Sequence, residues 1–500
     1  MHLQLQFEKK EIPCLRTVKR EVQNHEQTQE LRVSDGMPDI GSIVGAWGQV
    51  ILRSKEWQED GMTVSGGTMV WVQYIPEEDG QPQCVESWLP FQMRWSFPGT
   101  QYDGKILTQC ILRSVDARST SARKLMLRTN VSVLGWALEN EICELYEPTE
   151  IPEDIHLRKA RYPVQLPVEA GEKAFALEEI LQLPPSIPKL EKVVSYCLRP
   201  EITEEKLMND KVIFRGYAVL HILYLADDGG QYAWDFDLPF TQYAELEKEY
   251  GEDAEVLLLP CVTALELDRE ADSLSVKIGL VCQYQISHRP VLEITEDAYS
   301  TRRKLDPILQ ELQLPGILES KTQTIHAQGT MPLDAMRLTD VEFRPLPVQT
   351  RNEGENSTIE VPGQFHLFYY DMEGIPRTGI HKWEQKVSMP QGDSVSTESI
   401  SFALGKPQGT LMSGSVQLGS EITLITQTTA SGTIPMITGL ELGETQHLDP
   451  ARPSVILRRP GGKSLWELAK ESASSVEAIR EANGLQTEPE DAQMLLIPVL

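Results

Sequence analysis

Gly216-Tyr-Ala-Val-Leu-His-Ile-Leu-Tyr224, then Asp227-Asp-Gly-Gly230, then Leu238-Pro-Phe240, is the stretch whose reading decides the fold. Ala218, Leu220, Ile222 and Tyr224 alternate with period two. That is the spacing of a strand with one buried face, not the 3.6 spacing of a helix. The acidic-Gly tetrad after it reads as a hairpin turn, because Gly supplies the positive φ that such turns need. The same text stands upstream. Thr68, Val70, Val72 and Tyr74 alternate, Glu77-Glu78-Asp79-Gly80 follows, and Leu89-Pro90-Phe91 follows that. The two tyrosines are 150 residues apart and the two Leu-Pro-Phe triplets 149.

Further landmarks keep the same offset. Pro38-Asp39-Ile40 with Ile43 and Val44 recurs as Pro188-Lys189-Leu190 with Val193 and Val194. The run Leu125, Leu127, Thr129, Val131, Val133 recurs as Leu274, Val276, Ile278, Leu280, Cys282. One shared offset across several landmarks establishes two copies of a module. A third, fainter copy has Gly363 to Tyr370 as its strand and Asp371-Met-Glu-Gly374 as its turn, with later strands supplied by Ser413 to Thr429; it lacks Leu-Pro-Phe. Alternating strands joined by hairpins predict a mainly β chain of antiparallel β-sandwich-like modules, or curled antiparallel sheets. The copies are bounded at 1–150, 168–305 and 306–446. Proline-rich stretches, Glu147 to Pro167 and Pro184 to Pro188, read as connectors. Phe175, Leu177, Ile180 and Leu181 share a helical face, predicting a short helix over Ala174 to Leu181. On this reading the modules are beads in tandem, not one merged core.

From Pro453 the pattern changes. Val455-Ile-Leu457 reads as a short strand and Pro460-Gly-Gly462 as a turn. Ser464-Leu-Trp-Glu467 and Ser474-Ser-Val-Glu477 each have the form of a capping box. Asn483-Gly484 is a helix stop and Leu495-Leu-Ile-Pro498 a closing strand. The expected unit is a small βααβ domain over 453–500.

Gly462-Lys-Ser-Leu-Trp466, Leu468-Ala-Lys470, Asn483-Gly-Leu485 and Leu495-Leu-Ile-Pro498 closely resemble a LysM domain. This chain has Lys463-Ser464 where the family has Asp-Thr, and Ala492-Gln493 where it has Gly-Gln before the last strand. The resemblance implies a ligand groove between the first loop and the turn after the second helix. By position that groove takes in Gly462, Lys463, Ser464, Leu465, Trp466, Asn483, Gly484, Leu485 and Gln486. The upstream copies, with their Pro-Asp-Ile start, Gly-to-Tyr strand, acidic turn and Leu-Pro-Phe, resemble the SPOCS modules of spore-forming Firmicutes. SPOCS modules followed by a terminal LysM domain is the order found in SipL-like proteins. That resemblance implies a non-enzymatic sporulation scaffold in the mother-cell cytoplasm at the forespore surface. Its LysM domain would dock the coat basement ATPase SpoIVA, and the modules would contact other coat proteins. The alternative it leaves open is binding of peptidoglycan N-acetylglucosamine at the wall or cortex.

Composition bears on the same question. The chain has 500 residues, of which 40% are hydrophobic and 24% charged, an ordinary globular balance. With 46 Lys+Arg against 74 Asp+Glu, the formal charge is −28, which argues against nucleic acid or an anionic membrane as partner. Residues 453–500 carry five basic and seven acidic side chains, so −26 lies before them; a basic partner is expected on the β modules. No run of about 18 apolar residues predicts a membrane helix. The N-terminal MHLQLQFEKKEIPC lacks the basic start and apolar run of an export signal. Seven cysteines with no Cys-x-x-Cys pair predict reduced thiols.

Catalytic, metal and cofactor chemistry finds no motif. Gly462-Lys463-Ser464 is not a phosphate loop, because position 457 is Leu where that loop needs Gly. The nine histidines show no His-x-x-x-His spacing, and His221 and His366 on the Gly-to-Tyr strands read as packed strand residues. The acidic clusters at 77–79, 226–228 and 252–255 read as solvated turns, Trp466 as core in preference to groove wall, and no enzyme activity or cofactor is expected.

Overall fold

In the computed structural model the Gly-to-Tyr alternation becomes the end of a 37-residue strand, Leu190–Ala226, paired antiparallel with Gln231–Tyr250. The residues described are 3–78, 80–97, 104–251, 253–270, 273–313, 317–353, 356–390, 395–430, 433–445 and 452–500. Asp79 and Glu252, placed in acidic turns by the sequence reading, lie outside them. Ala218, Leu220, Ile222 and Tyr224 are all within 1% of full burial. Gly229, at φ +78°, makes the turn, and the Gly230 amide donates to Asp228 Oδ1 at 2.8 Å.

The repeated residues do the same work in both copies. Tyr224 Oη donates to the Pro188 carbonyl at 3.1 Å, and Tyr74 Oη to the Pro38 carbonyl at 2.9 Å. The Asp227 amide donates to Lys189 O and the Glu77 amide to Asp39 O, each at 3.0 Å. The repeated glycine has its own reason. The long strand doubles back near Asn209 (φ +47°), pressing Glu201 against Gly216. A Cβ at Gly216 would sit 1.9 Å from Glu201 O, and one at Gly66 would sit 2.3 Å from Ile51 O. Only glycine leaves room for those carbonyls.

One sheet plan occurs three times. Phe7–Arg32, Lys124–Pro148 and Lys105–Ser121 form a three-stranded sheet beside that of Ile40–Gln58, Gly61–Pro76 and Gln83–Ser96. Leu166–Leu181, Ser273–His288 and Ala254–Glu270 form the matching sheet beside the long strand and its partner. Ile317–Pro332, Ser415–Ala430 and Val395–Met412 form the third, beside a sheet centred on Asn356–Asp371. In each β unit the two sheets are joined by buried apolar side chains, such as Val64, Trp95 and Val133, and separately Val72, Tyr74 and Leu125, in the first.

Three expectations fail. Ala174 to Leu181 is strand, part of Leu166–Leu181, with Phe175 opposite Leu280 and Leu177 opposite Ile278. Phe175, Leu177 and Leu181 fit period two, whereas on a helix Phe175 would stand opposite the other three, and the edge of Ser273–His288 needs backbone partners, so the segment pairs as strand. Glu147 to Pro167 is not a connector: strand continues to Pro148, and Ile155–Pro163 pairs with Val291–Ser300. Pro184 to Pro188 does lie between strands.

The units are also not beads. Val44, Trp47 and Trp71 of the first, Val194 and Leu223 of the second, and Phe368 of the third share one buried cluster. Leu15, Leu107 and Trp136, Ala170 and Leu259, and Ile400 form another. A third joins Cys143 and Leu145 to Leu292, Ile294 and Met436. Equivalent segments of all three units also line a cavity of about 240 Å³, among them Gly48–Gln49, Cys197–Leu198 and Glu342–Phe343. Apolar side chains on the outer faces of the sheets cannot be left in water, so the units close on one another.

After these units the chain forms Val455–Arg458, α1 (Leu465–Ser472), α2 (Val476–Asn483) and Leu495–Pro498, the two short strands pairing antiparallel. No helix among the described residues is long and apolar enough to cross a membrane.

Candidate functional site

The site expected from sequence is built by two helix termini and the strand that closes over them. Ser464 caps α1: its hydroxyl accepts from the Glu467 amide, and the Glu467 carboxylate accepts from the Ser464 amide at 2.8 Å. Ser475, not Ser474, caps α2, accepting from the Ala478 amide at 3.0 Å. Gly484 closes α2 at φ +64°, the left-handed conformation in which glycine is unstrained.

The expected groove residues divide into two roles. Leu465 is fully buried among Leu468, Ala469, Ile479, Leu495 and Ile497, with Leu485 packed against that cluster. Asn483 fixes the closing strand: Nδ2 donates to Leu496 O at 2.6 Å and Oδ1 accepts from the Leu496 amide at 2.8 Å. Gly462, Ser464, Gly484 and Gln486 are exposed, and Lys463 pairs with Glu471. The chain's own acids reach the loop amides: Gly462 N donates to Asp491 Oδ1 at 2.8 Å and Leu465 N to Glu488 Oε2 at 2.9 Å. A carboxylate at the first turn of α1 also suits the helix dipole.

Trp466 faces the β units and not the groove. Its Nε1 donates to Asp297 Oδ2 at 2.8 Å, and its ring meets Tyr299 edge-on at 4.8 Å between centroids. Lys470 Nζ donates to Asp297 Oδ1 at 2.7 Å, and Tyr299 Oη to the Ser474 carbonyl at 2.8 Å. Asp297 and Tyr299 lie on Val291–Ser300, so this strand is the seat of the C-terminal unit. Burial works to raise the Asp297 pKa, but Lys470 and Trp466 outweigh it and hold the carboxyl below its ordinary value. The sequence reading missed both residues, because nothing in Asp297-Ala-Tyr299 distinguishes it from any other strand text.

The opposite side of the unit is apolar and exposed. Val455 (43%), Leu457 (69%) and Leu496 (37%) project from the paired strands, Leu457 opposite Leu496, while Leu495 and Ile497 point inward at 0%.

A second constellation lies at the seam between the second and third units. His221 is 6% exposed, and its ring bridges two carboxylates: Nδ1 lies 2.6 Å from Asp235 Oδ1 and Nε2 2.9 Å from Asp340 Oδ2. Burial alone would depress its pKa, but Asp340 and Asp235 outweigh that and hold it well above the ordinary value. Lys406 Nζ lies 2.8 Å from Asp235, and Arg344 donates to Glu342 at 2.7 Å. His366, on the other hand, is pushed down to about 3 by burial, then by Arg344. The sequence reading treats both histidines as packed strand residues; what distinguishes His221 is the polar ring between Leu220 and Ile222.

The fold and these two constellations define an acidic protein of three interlocked antiparallel β units carrying a small βααβ unit on one strand. Residues 189–264 match the family model described as SipL, SPOCS domain. The match runs from the start of the long strand, through its hairpin partner, into Ala254–Glu270, and so takes in the stretch that decides the fold. No curated protein and no solved structure matches the chain.

Proposed function

We propose that this chain is a non-enzymatic adaptor of spore-coat assembly, acting in the mother cell at the forespore surface. In this reading residues 453–500 are a LysM domain that docks the coat ATPase SpoIVA, and the three β units are SPOCS modules contacting other coat proteins. The observation that carries the docking role is the exposed apolar face of Val455, Leu457 and Leu496 on a unit whose other side is seated on Val291–Ser300. The SPOCS match at 189–264 supports the sporulation context. The loop amides of Gly462 and Leu465 already bind Asp491 and Glu488, which favours a protein partner over a sugar.

The test is co-purification with SpoIVA of the full chain, of a chain ending before 453, and of Leu457→Asp. Loss of SpoIVA from the truncated chain, and at least tenfold weaker retention by Leu457→Asp, is the expected result. Retention indifferent to both changes overturns the docking role. Strong retention of the chain on purified peptidoglycan, abolished by altering 462–466, would install the glycan reading instead.

A further inference from the structure

We propose that His221, Asp340 and Glu342 form a zinc-class divalent cation site at the seam between the second and third β units. One ligand atom from each lies within 4.8 Å of the others. His221 comes from the long strand of the second unit, while Asp340 and Glu342 stand two apart on Ala335–Pro345 of the third, on one face of that strand.

The surroundings have the form of an outer shell. A ligating imidazole characteristically gives its other nitrogen to a carboxylate, which fixes the ring and raises its basicity. Asp235 holds Nδ1 in that way and is itself held by Lys406, while Arg344 steadies Glu342. A cavity of about 300 Å³ opens beside the cluster and has Asp340, Glu342 and His366 in its wall. His366 stands directly across the ladder from Glu342, and its Nε2 is buried with no hydrogen-bond partner among the described residues. An unpaired buried nitrogen beside a polar cavity points to a bound group, because such a nitrogen is costly to leave unmet. The cavity provides an entry path and room for a water ligand.

The donor set selects the ion. One imidazole and two carboxylates suit zinc with water completing the shell, whereas calcium and magnesium take oxygen alone. Cys197 Sγ lies 3.8 Å from Glu342 Oε1, outside the group of three ligand atoms that lie within 4.8 Å of one another. Binding replaces the contact between His221 Nε2 and Asp340 by bonds from both side chains to the ion, and no electrons move. The ion then ties two units together through bonds that neither unit can make alone.

The experiment uses the full chain, stripped with a chelator and titrated with Zn²⁺. One ion retained per chain after gel filtration is expected. X-ray absorption of the zinc-loaded wild-type chain should show nitrogen and oxygen at about 2.0–2.2 Å. Glu342→Gln, which leaves the His221 bridge to Asp235 and Asp340 in place, should abolish retention, and Asp235→Asn should weaken it by about 10–100-fold. Substoichiometric zinc on the folded wild-type chain overturns the site, leaving His221 as an imidazolium clamped by two carboxylates. A sulfur shell at about 2.3 Å also overturns it, because the ion would then sit on cysteines.

Discussion

The junction of the three β units and the seat of the C-terminal unit both join distant stretches of chain, and they differ in how many large apolar side chains they bury. At the junction Trp47, Leu223 and Phe368 from three units bury one another, the Trp47 and Phe368 rings meeting edge-on at 5.9 Å. At the seat Tyr299 enters the apolar cluster of the C-terminal unit, Trp466 and Lys470 bond Asp297, and Arg158 lies over the Trp466 ring, with Lys470 still 44% exposed. The difference teaches which contact can open. Separating the units would expose several large aromatic and aliphatic side chains, whereas separating the C-terminal unit uncovers mainly the Tyr299 ring and its apolar neighbours and breaks a few polar bonds that water can replace. The shared clusters predict that the three β units melt as one body and that the C-terminal unit separates from them first.

The strongest way to break that comparison is at the junction. Phe368→Ala should cost about 3–5 kcal/mol and lower the unfolding temperature of the whole array in one transition. Calorimetry showing the three units melting separately would make them beads after all. Next in size is Gly216→Ala, whose Cβ would meet the Glu201 carbonyl; about 1–3 kcal/mol lost in urea unfolding is expected. A neutral outcome would remove the physical reason offered for the repeated glycine.

The seat should respond more weakly and locally. Asp297→Ala removes the partners of Trp466 Nε1 and Lys470 Nζ, worth about 1–2 kcal/mol. Hydrogen exchange should rise across 453–500 while the array keeps its unfolding temperature; a fall in array stability would mean that the seat belongs to the array core. Smallest of all is the pH effect. Asp297 has a folded pKa below its unfolded one, so its contribution is full above the ordinary carboxyl value near 3.8 and is lost as pH falls through the depressed value. Trp466 fluorescence should change in that acid window and stay flat between pH 5 and 8, and Asp297→Ala should abolish the change.

Much of the array was legible in the sequence because its signals are local. Tyr74 and Tyr224 stand at the same offset as the prolines whose carbonyls they bind, so one constraint is printed twice. The third copy kept its sheet plan after losing Leu-Pro-Phe, since alternation and turn glycine, including Gly374 at φ +76°, suffice to pair strands. The helix expected over Ala174 to Leu181 failed because Phe175, Leu177 and Leu181 alternate with period two and pair with a waiting edge, while Ile180, which a helical face would bury, is 68% exposed. Among the expected groove residues, Asn483 and Leu485 hold their own unit together and Trp466 faces away to the seat, a direction that no spacing within 453–500 encodes.

By itself the sequence determined a repeated, strand-built, acidic chain ending in a capped two-helix unit, since periodicity, turn chemistry and capping act over a few residues. Only the tertiary structure decided that the units merge, that Asp297 and Tyr299 seat the last unit, and that His221 meets Asp340 and Glu342 across a seam. Those three outcomes depend on which surfaces face one another over more than a hundred residues of intervening chain. Burial and charge pairing at such range act on shape, which a linear pattern does not carry.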